Sequence, residues 1–162
     1  MLGGVSGWYL SQDSGERLAA SLADRALVAH EVYAVEVKHP VEVGAADKEH
    51  LATWLSKRLG HQIEVPDLSA EGYTLLGGRL LAGEDRPAAQ LMYEDGNKRR
   101  ITIFLTANLH NKESTFQVEE KGNLVACYWL DGPFGFAIAG ELEMPKAMHL
   151  ARVVYDAFEK EA

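Results

Sequence analysis

Cysteine occurs once in the 162 residues, as Cys127, so no intramolecular disulfide can form. A chain of this length buries a sizeable core without staples. That is compatible with the cytosol and equally with an exported domain. Long apolar runs are also missing, and nothing approaches the roughly 20 residues of a membrane span. Basic residues are few: 16 Lys and Arg stand against 24 Asp and Glu, a net charge of -8. The deficit argues against nucleic acid, which requires a basic footprint, and against an anionic membrane surface as an electrostatic partner. No Gly-x-Ser-x-Gly elbow, phosphate-cradling loop ending in Lys-Ser/Thr, or Gly-x-Gly-x-x-Gly occurs. The six histidines, His30, His39, His50, His61, His110 and His149, form no His-x-His or His-Glu-x-x-His pair. No metal, no cofactor and no catalytic residue is therefore assigned, and the chain is read as not an enzyme.

Gly122 to Leu142 carries the strongest pattern. Leu124, Ala126, Tyr128 and Leu130 alternate with Val125, Cys127 and Trp129. After Asp131-Gly132-Pro133, Phe134, Phe136 and Ile138 alternate with Gly135, Ala137 and Ala139. Period-two patterning around a Gly/Pro turn predicts a hairpin. Apolar residues on both faces place it centrally in a sheet covered on both sides. One face carries large rings; the other is small enough for a helix or another backbone to come close. Two readings are open for Trp129, Phe134 and Phe136: an aromatic ligand or partner pocket, or plain core, which large buried rings usually are. Cys127, mid-strand, reads as an inert buried thiol. The carboxylate pairs Glu84-Asp85, Glu94-Asp95 and Glu119-Glu120 read as solvated turns or strand ends.

Elsewhere, Leu18, Leu22, Ala26, Ala29 and Val32 or Tyr33 form one apolar stripe, predicting a helix from Ser14 to about Ala34, with Ser11, Asp13 and Ser14 as N-caps. Tyr33 to Lys38 and Val41 to Val43 look strand-like, with His39-Pro40 marking a boundary or an edge strand. A second helix is predicted over Lys48 to Leu59, capped by Asp47 and stopped by Gly60, with Leu51, Trp54, Leu55 and Leu59 inward. His61 to Val65 is a strand candidate. Gly77-Gly78 reads as a hairpin turn between strands at Tyr73–Leu76 and Arg79–Ala82. Further strands are expected at Ala89–Tyr93, Arg100–Thr106 and Thr115–Glu119. A last helix is expected from about Pro145, with Ala147, Ala151, Val154, Tyr155 and Phe158 inward. The expected fold is α+β: a single domain with a mainly antiparallel sheet of about six to eight strands, two N-terminal helices and one C-terminal helix. Residues 1–13 separate from this domain of 14–162. Met1 to Leu10, with Trp8 and Tyr9 adjacent, resembles a membrane-exit or linker segment ending in an aromatic belt.

A series of strings occurs in order: His39-Pro40-Val41-Glu42-Val43, Leu51-Ala52-Thr53-Trp54-Leu55-Ser56-Lys57-Arg58-Leu59-Gly60, Pro66-Asp67-Leu68, Gly72-Tyr73-Thr74-Leu75-Leu76-Gly77-Gly78-Arg79-Leu80-Leu81, Ala88-Ala89-Gln90-Leu91-Met92-Tyr93, and Tyr128-Trp129-Leu130-Asp131-Gly132-Pro133-Phe134-Gly135-Phe136-Ala137. This series resembles the C-terminal part of proteobacterial transmembrane anti-sigma factors, the transmembrane transcriptional regulator family. The similarity spans about Leu18 to Phe158. Each string is weak singly, and their order is what is specific.

The resemblance implies a periplasmic sensor-like domain at the inner membrane, following a single membrane span. A cytosolic domain outside this sequence would hold an extracytoplasmic-function sigma factor inactive, so that factor is a partner only through the missing domain. Met1 is then a cut or misassigned start. An envelope protease or periplasmic protein is the expected direct partner, and a homodimer through the first helix is also open. The family offers no catalytic motif in this region. The rival reading is a free-standing cytosolic small-molecule-binding protein or small hydrolase.

Overall fold

The computed structural model describes residues 21–36, 38–81, 86–108 and 112–159. The expected caps Ser11, Asp13 and Ser14, the stripe residue Leu18, and the whole of 1–13, Trp8 included, lie outside them. The fold is α+β, with one seven-stranded antiparallel sheet between helices. In chain order the elements are helix α1 (21–33), strand β1 (Val43–Gly44), helix α2 (Lys48–Leu59), strands β2 (Thr74–Leu81), β3 (Ala88–Glu94), β4 (Arg100–Ala107), β5 (Gln117–Lys121), β6 (Leu124–Asp131) and β7 (Phe134–Gly140), and helix α3 (Met144–Glu159). The strand order is β1-β2-β3-β4-β7-β6-β5. Thus β7 returns to pair with β4, and the predicted hairpin of β6 and β7 joins the two halves of the sheet.

The turn residues explain the two C-terminal reversals. Gly132 (φ 56) supplies the positive φ that a two-residue hairpin needs at its first position, and Pro133 the fixed negative φ at the second. Gly122 (φ 60) does the same between β5 and β6. At the β3–β4 turn, Asp95 Oδ1 accepts from the amides of Asn97 (2.8 Å) and Arg99 (2.9 Å), and Lys98 takes the left-handed conformation (φ 62).

Period two fixes the two faces of the sheet. Trp129 pairs with Phe136 and Cys127 with Ile138, placing these side chains with Leu91, Tyr93, Ile101, Ile103 and Leu105 in one large core. Helices α2 and α3 cover this face through Leu51, Leu55 and Leu59 and through Ala147, Leu150, Ala151 and Val154. Trp54, expected inside, is only half-buried at the margin of that core. The opposite face offers Ala126, Gly135, Ala137 and Ala139, and here α1 settles close. A Cβ added at Gly135 would stand 3.1 Å from Leu22 Cδ2. The buried stripe of α1 is Leu22, Ala23, Ala26, Leu27, Ala29 and His30; Val32 is turned outward, 51% exposed. The far end of α1 is anchored by Arg100, whose guanidinium donates to the carbonyls of Ala34 and Glu36 and pairs with Glu94 at 3.1 Å.

Four sequence expectations are corrected. No strand forms at 33–38 among the described residues, and Val35 is 75% exposed. The chain must pass from α1 on one face to α2 on the other, so it runs round the sheet edge and only Val43–Gly44 pairs. Asp47 takes the N-cap place, but its side chain makes no capping bond, because a 3₁₀ turn at Ala45–Asp47 leads into the helix instead. His61 to Val65 is not a strand. Ile63 and Val65 are buried, yet the Ile63 amide donates to Ser56 Oγ (2.8 Å) rather than to a ladder.

The fourth correction concerns Gly77-Gly78, which is no turn. It lies inside one continuous strand, at a bulge where Leu75 pairs with Tyr93 and Gly77 with Met92. Gly77 has φ 145, and a Cβ there would fall 2.1 Å from the Val43 carbonyl oxygen. At Gly78 a Cβ would crowd Gln90 O and Leu51 Cδ1, each at 3.0 Å. The glycines serve close approach by β1 and α2, the other common reason for glycine in a strand.

Two tests follow from these contacts. Gly77→Ala should destabilise the domain by about 1–3 kcal/mol in denaturant unfolding, through backbone strain and the clash with β1. Gly96→Ala, where a Cβ meets nothing within 4 Å, should stay within about 0.5 kcal/mol. The second test concerns His30, buried under α1 with Nδ1 2.9 Å from Thr102 Oγ1. Burial lowers its pKa to about 4, against a smaller opposing effect of the Glu31 charge. The unfolded chain therefore binds the extra proton first, so stability falls as pH drops from about 6.5 towards 4. His30→Gln should flatten that slope in unfolding free energies measured across the window. An unchanged slope would locate the acid sensitivity elsewhere.

Candidate ligand pocket

The ring cluster predicted around the hairpin exists and is larger than the sequence suggested. Trp129 stacks on Phe136 (centroids 5.1 Å apart, planes at 12°). Phe134 meets Phe136 edge-on at 5.7 Å, and Phe158 of α3 meets Phe136 at 4.8 Å. Phe116, just before β5, stands edge-on to Trp129 and to Tyr155 at 5.1 and 5.9 Å. Such offset and T-shaped pairs add about 0.5–1.5 kcal/mol each beyond the area they bury.

At the hairpin end of this cluster is a cavity of about 200 Å³. Phe134, Phe136, Phe158 and Pro133 form its apolar part; Gln62, Glu64, Asp131 and Glu159 are its polar part. The three candidate residues therefore divide. Phe134 and Phe136 line the cavity, whereas Trp129, 1% exposed, lies behind Phe136 as core. Its indole N–H has no acceptor among the described residues.

Local structure explains how the polar groups converge. Asp131 ends β6 at the Gly132-Pro133 turn. Glu159 ends α3, whose buried stripe lies along β6 and β7. Gln62 and Glu64 come from the irregular segment held by Ser56, and His61 stands edge-on to Phe134 at 5.5 Å. The loop before β5 is laced to the hairpin: Asn108 Nδ2 donates to the carbonyls of Lys112 and Gly132. The Leu130 amide donates to Ser114 Oγ. This lacing brings Glu113 within electrostatic reach of Asp131.

The carboxyl of Asp131 is pushed up to about 6. Partial burial is the main cause, followed by a hydrogen bond to the Glu159 carboxyl and the charges of Glu159 and Glu113. Two carboxyl groups can share a hydrogen bond only while one holds a proton, so the pair is frustrated when both ionise. No adjacent pair in the sequence announced this, because Asp131 and Glu159 meet only through the packing of α3 on the sheet. The adjacent pairs themselves do other work. Glu94 binds Arg100, Asp95 closes its turn, and Glu119 and Glu120 lie on strand β5; Glu84-Asp85 is outside the described residues.

The remaining candidate chemistry is dispersed. Cys127 is fully buried, and burial pushes its thiol up to about 11, away from reactive thiolate. His30 is sealed under α1, His149 pairs with Glu71 at 2.9 Å, and His110 is outside the described residues. Among the described residues no group of three or more His, Cys, Asp or Glu is placed to hold a metal ion.

Frustration at Asp131 has a measurable consequence. Because its folded pKa is raised, the folded state holds a proton that the unfolded chain releases between pH 3.8 and about 6. Stability contributed by that proton is present at low pH and is lost as pH rises through about 6. Asp131→Asn should therefore stabilise the domain at neutral pH, by no more than about 1 kcal/mol because the site is solvent-screened. The gain should vanish near pH 4. Paired melting curves at the two pH values check the sign.

Compared with protein-family models and with curated proteins, the sequence matches none.

Proposed function

We propose that this chain is the extracytoplasmic regulatory domain of a transmembrane anti-sigma factor, acting through binding and through its own stability rather than through catalysis. The observation that carries the reading is where the ordered family-like strings fall. Leu51 to Gly60 covers all but the first turn of α2 and its capping glycine (φ 79). Gly72 to Leu81 contains the bulged strand whose glycines admit β1 and α2. Tyr128 to Ala137 is the central hairpin and half of the pocket. The strings coincide with positions that fix the fold, as expected when likeness reflects a shared domain.

The arrangement of α1 supports a regulatory mechanism. Among the described residues no helix is long and apolar enough to cross a membrane. In the proposal the span lies upstream of the membrane-exit-like segment 1–13, and α1 connects that segment to the sheet. Opening of α1 would expose the upstream segment to an envelope protease. Cleavage of a locally opened segment tracks its open population. The sigma factor is then released through the cytosolic domain that this sequence does not contain. The pocket also suits the alternative, a free-standing cytosolic small-molecule-binding protein, and the reading frame upstream of Met1 separates the two.

Phe136→Ala removes a ring that is 1% exposed, and such truncations cost about 3–5 kcal/mol of a stability of about 5–15 kcal/mol. In the full-length protein it should raise sigma-dependent reporter transcription severalfold. The isolated 162-residue chain expressed in the cytosol should neither bind nor inhibit the sigma factor. Tight binding by the isolated chain would refute the division of labour, and an unchanged reporter would refute the proteolytic route.

A further inference from the structure

The pocket at the hairpin end combines an aromatic lining with an acidic one. Its floor is three phenyl rings, Phe134, Phe136 and Phe158, and its rim carries the carboxyl groups of Glu64, Asp131 and Glu159. None of the lining residues is basic. We propose that it binds a small organic cation, an ammonium or guanidinium group carried on a short apolar stem or ring.

Each part of the site selects one property of that ligand. The volume, about 200 Å³, is below the range of roughly 300–1,000 Å³ that holds drug-sized molecules, so the ligand is small. The rings accept an apolar body, and their faces attract a cation within about 6 Å. An anion would meet only like charge. A neutral molecule would fill the floor and leave the carboxyl groups unanswered. A bare metal ion is the wrong cation, because it demands several oxygen ligands in one shell, and among the described residues no three His, Cys, Asp or Glu side chains converge to hold one. An alkyl- or arylammonium satisfies both halves at once: carbon on the rings, N–H donors to the carboxylates.

The frustrated carboxyl pair adds a signature to binding. The Asp131 carboxyl, pushed up to about 6 by partial burial and by its hydrogen bond to Glu159, holds a proton at that pH. The ammonium takes the place of that proton between them, so binding releases a proton to solvent and breaks no covalent bond of the ligand. Affinity should therefore fall as pH drops below about 6. The groups facing Asp131 are Glu159 and Tyr155 of α3, Glu113 of the loop before β5, Glu64, and His61 on Phe134. The inference does not rest on the anti-sigma reading, since a cytosolic protein with this fold would carry the same pocket.

The test uses the whole 162-residue chain and three probes of one shape: benzylamine, protonated at pH 7.5, benzyl alcohol and benzoate. Binding is read by calorimetry and by chemical-shift changes at the hairpin tip. Benzylammonium should bind at least about tenfold tighter than benzyl alcohol, a difference of about 1.4 kcal/mol, and benzoate should not bind. Calorimetry in two buffers of different ionisation enthalpy at pH 6 should show proton release. Glu159→Gln, at an exposed helix end, should weaken benzylammonium about tenfold and leave benzyl alcohol unchanged, and Asp131→Asn should do the same and abolish proton release. Phe158→Ala should weaken both ligands. Equal binding of the amine and the alcohol would overturn the proposal, as would amine binding that survives the Asp131→Asn, Glu159→Gln double variant. A lysine-bearing peptide that binds where free benzylammonium does not would overturn the small-molecule class. None of these outcomes depends on whether Phe136→Ala alters transcription in the full-length protein.

Discussion

Strand β7 has solvent on neither face, and its two faces differ by the volume of three large side chains. Phe134, Phe136 and Ile138 point one way; Gly135, Ala137 and Ala139 point the other. Close packing forbids a gap on the small side, so a helix with its own small residues must lie almost against the strand. Helix α1, with Ala23, Ala26 and Ala29 inward, fits that demand. The large side needs more covering volume, and α2 and α3 provide it together. The layer order, the closeness of α1 and the ring cluster under α3 therefore trace to the alternation along this strand.

Much of this was legible because it depends on local period. The β6–β7 hairpin, the α2 stripe with Gly60 behind it, and the β3–β4 turn each carry their signal within a dozen residues. Gly77-Gly78 misled for a definite reason. The same dipeptide suits a tight turn and a strand over which another backbone passes, and only the position of Val43, far back in the chain, decides between them. His61 to Val65 alternates like a strand, but it joins no strand of the sheet, and the Ile63 amide is held by Ser56 instead. The pocket was half legible. Phe134 and Phe136 stand in the hairpin, but Phe158, Glu159 and Glu64 reach them only through tertiary packing. Trp129 could not be separated from its neighbours by period, since it shares their face and differs only in lying one ring deeper.

The two titrating groups that the fold perturbs most clearly in the acid range sit on opposite sides of the sheet. His30 is neutral beneath α1, and Asp131 is held partly protonated at the pocket. Their signs oppose: between pH 4 and 6 acidification destabilises the α1 face through His30 and relieves the pocket through Asp131. A global unfolding curve in that range reports their difference and can look flat while both faces change. Local opening of α1 exposes His30, which is buried in that contact with Thr102.

The two faces nevertheless share a strand. Phe134 and Phe136 line the pocket, and Gly135 between them lies under Leu22 of α1. Because packed layers transmit displacement rather than absorb it, a shift of β7 at the rings would reach the seat of α1. Whatever binds the folded pocket would add stability by mass action. The rings of the pocket and the seat of α1 are consecutive residues of one strand, Phe134, Gly135 and Phe136, so neither face can be repacked without regard to the other.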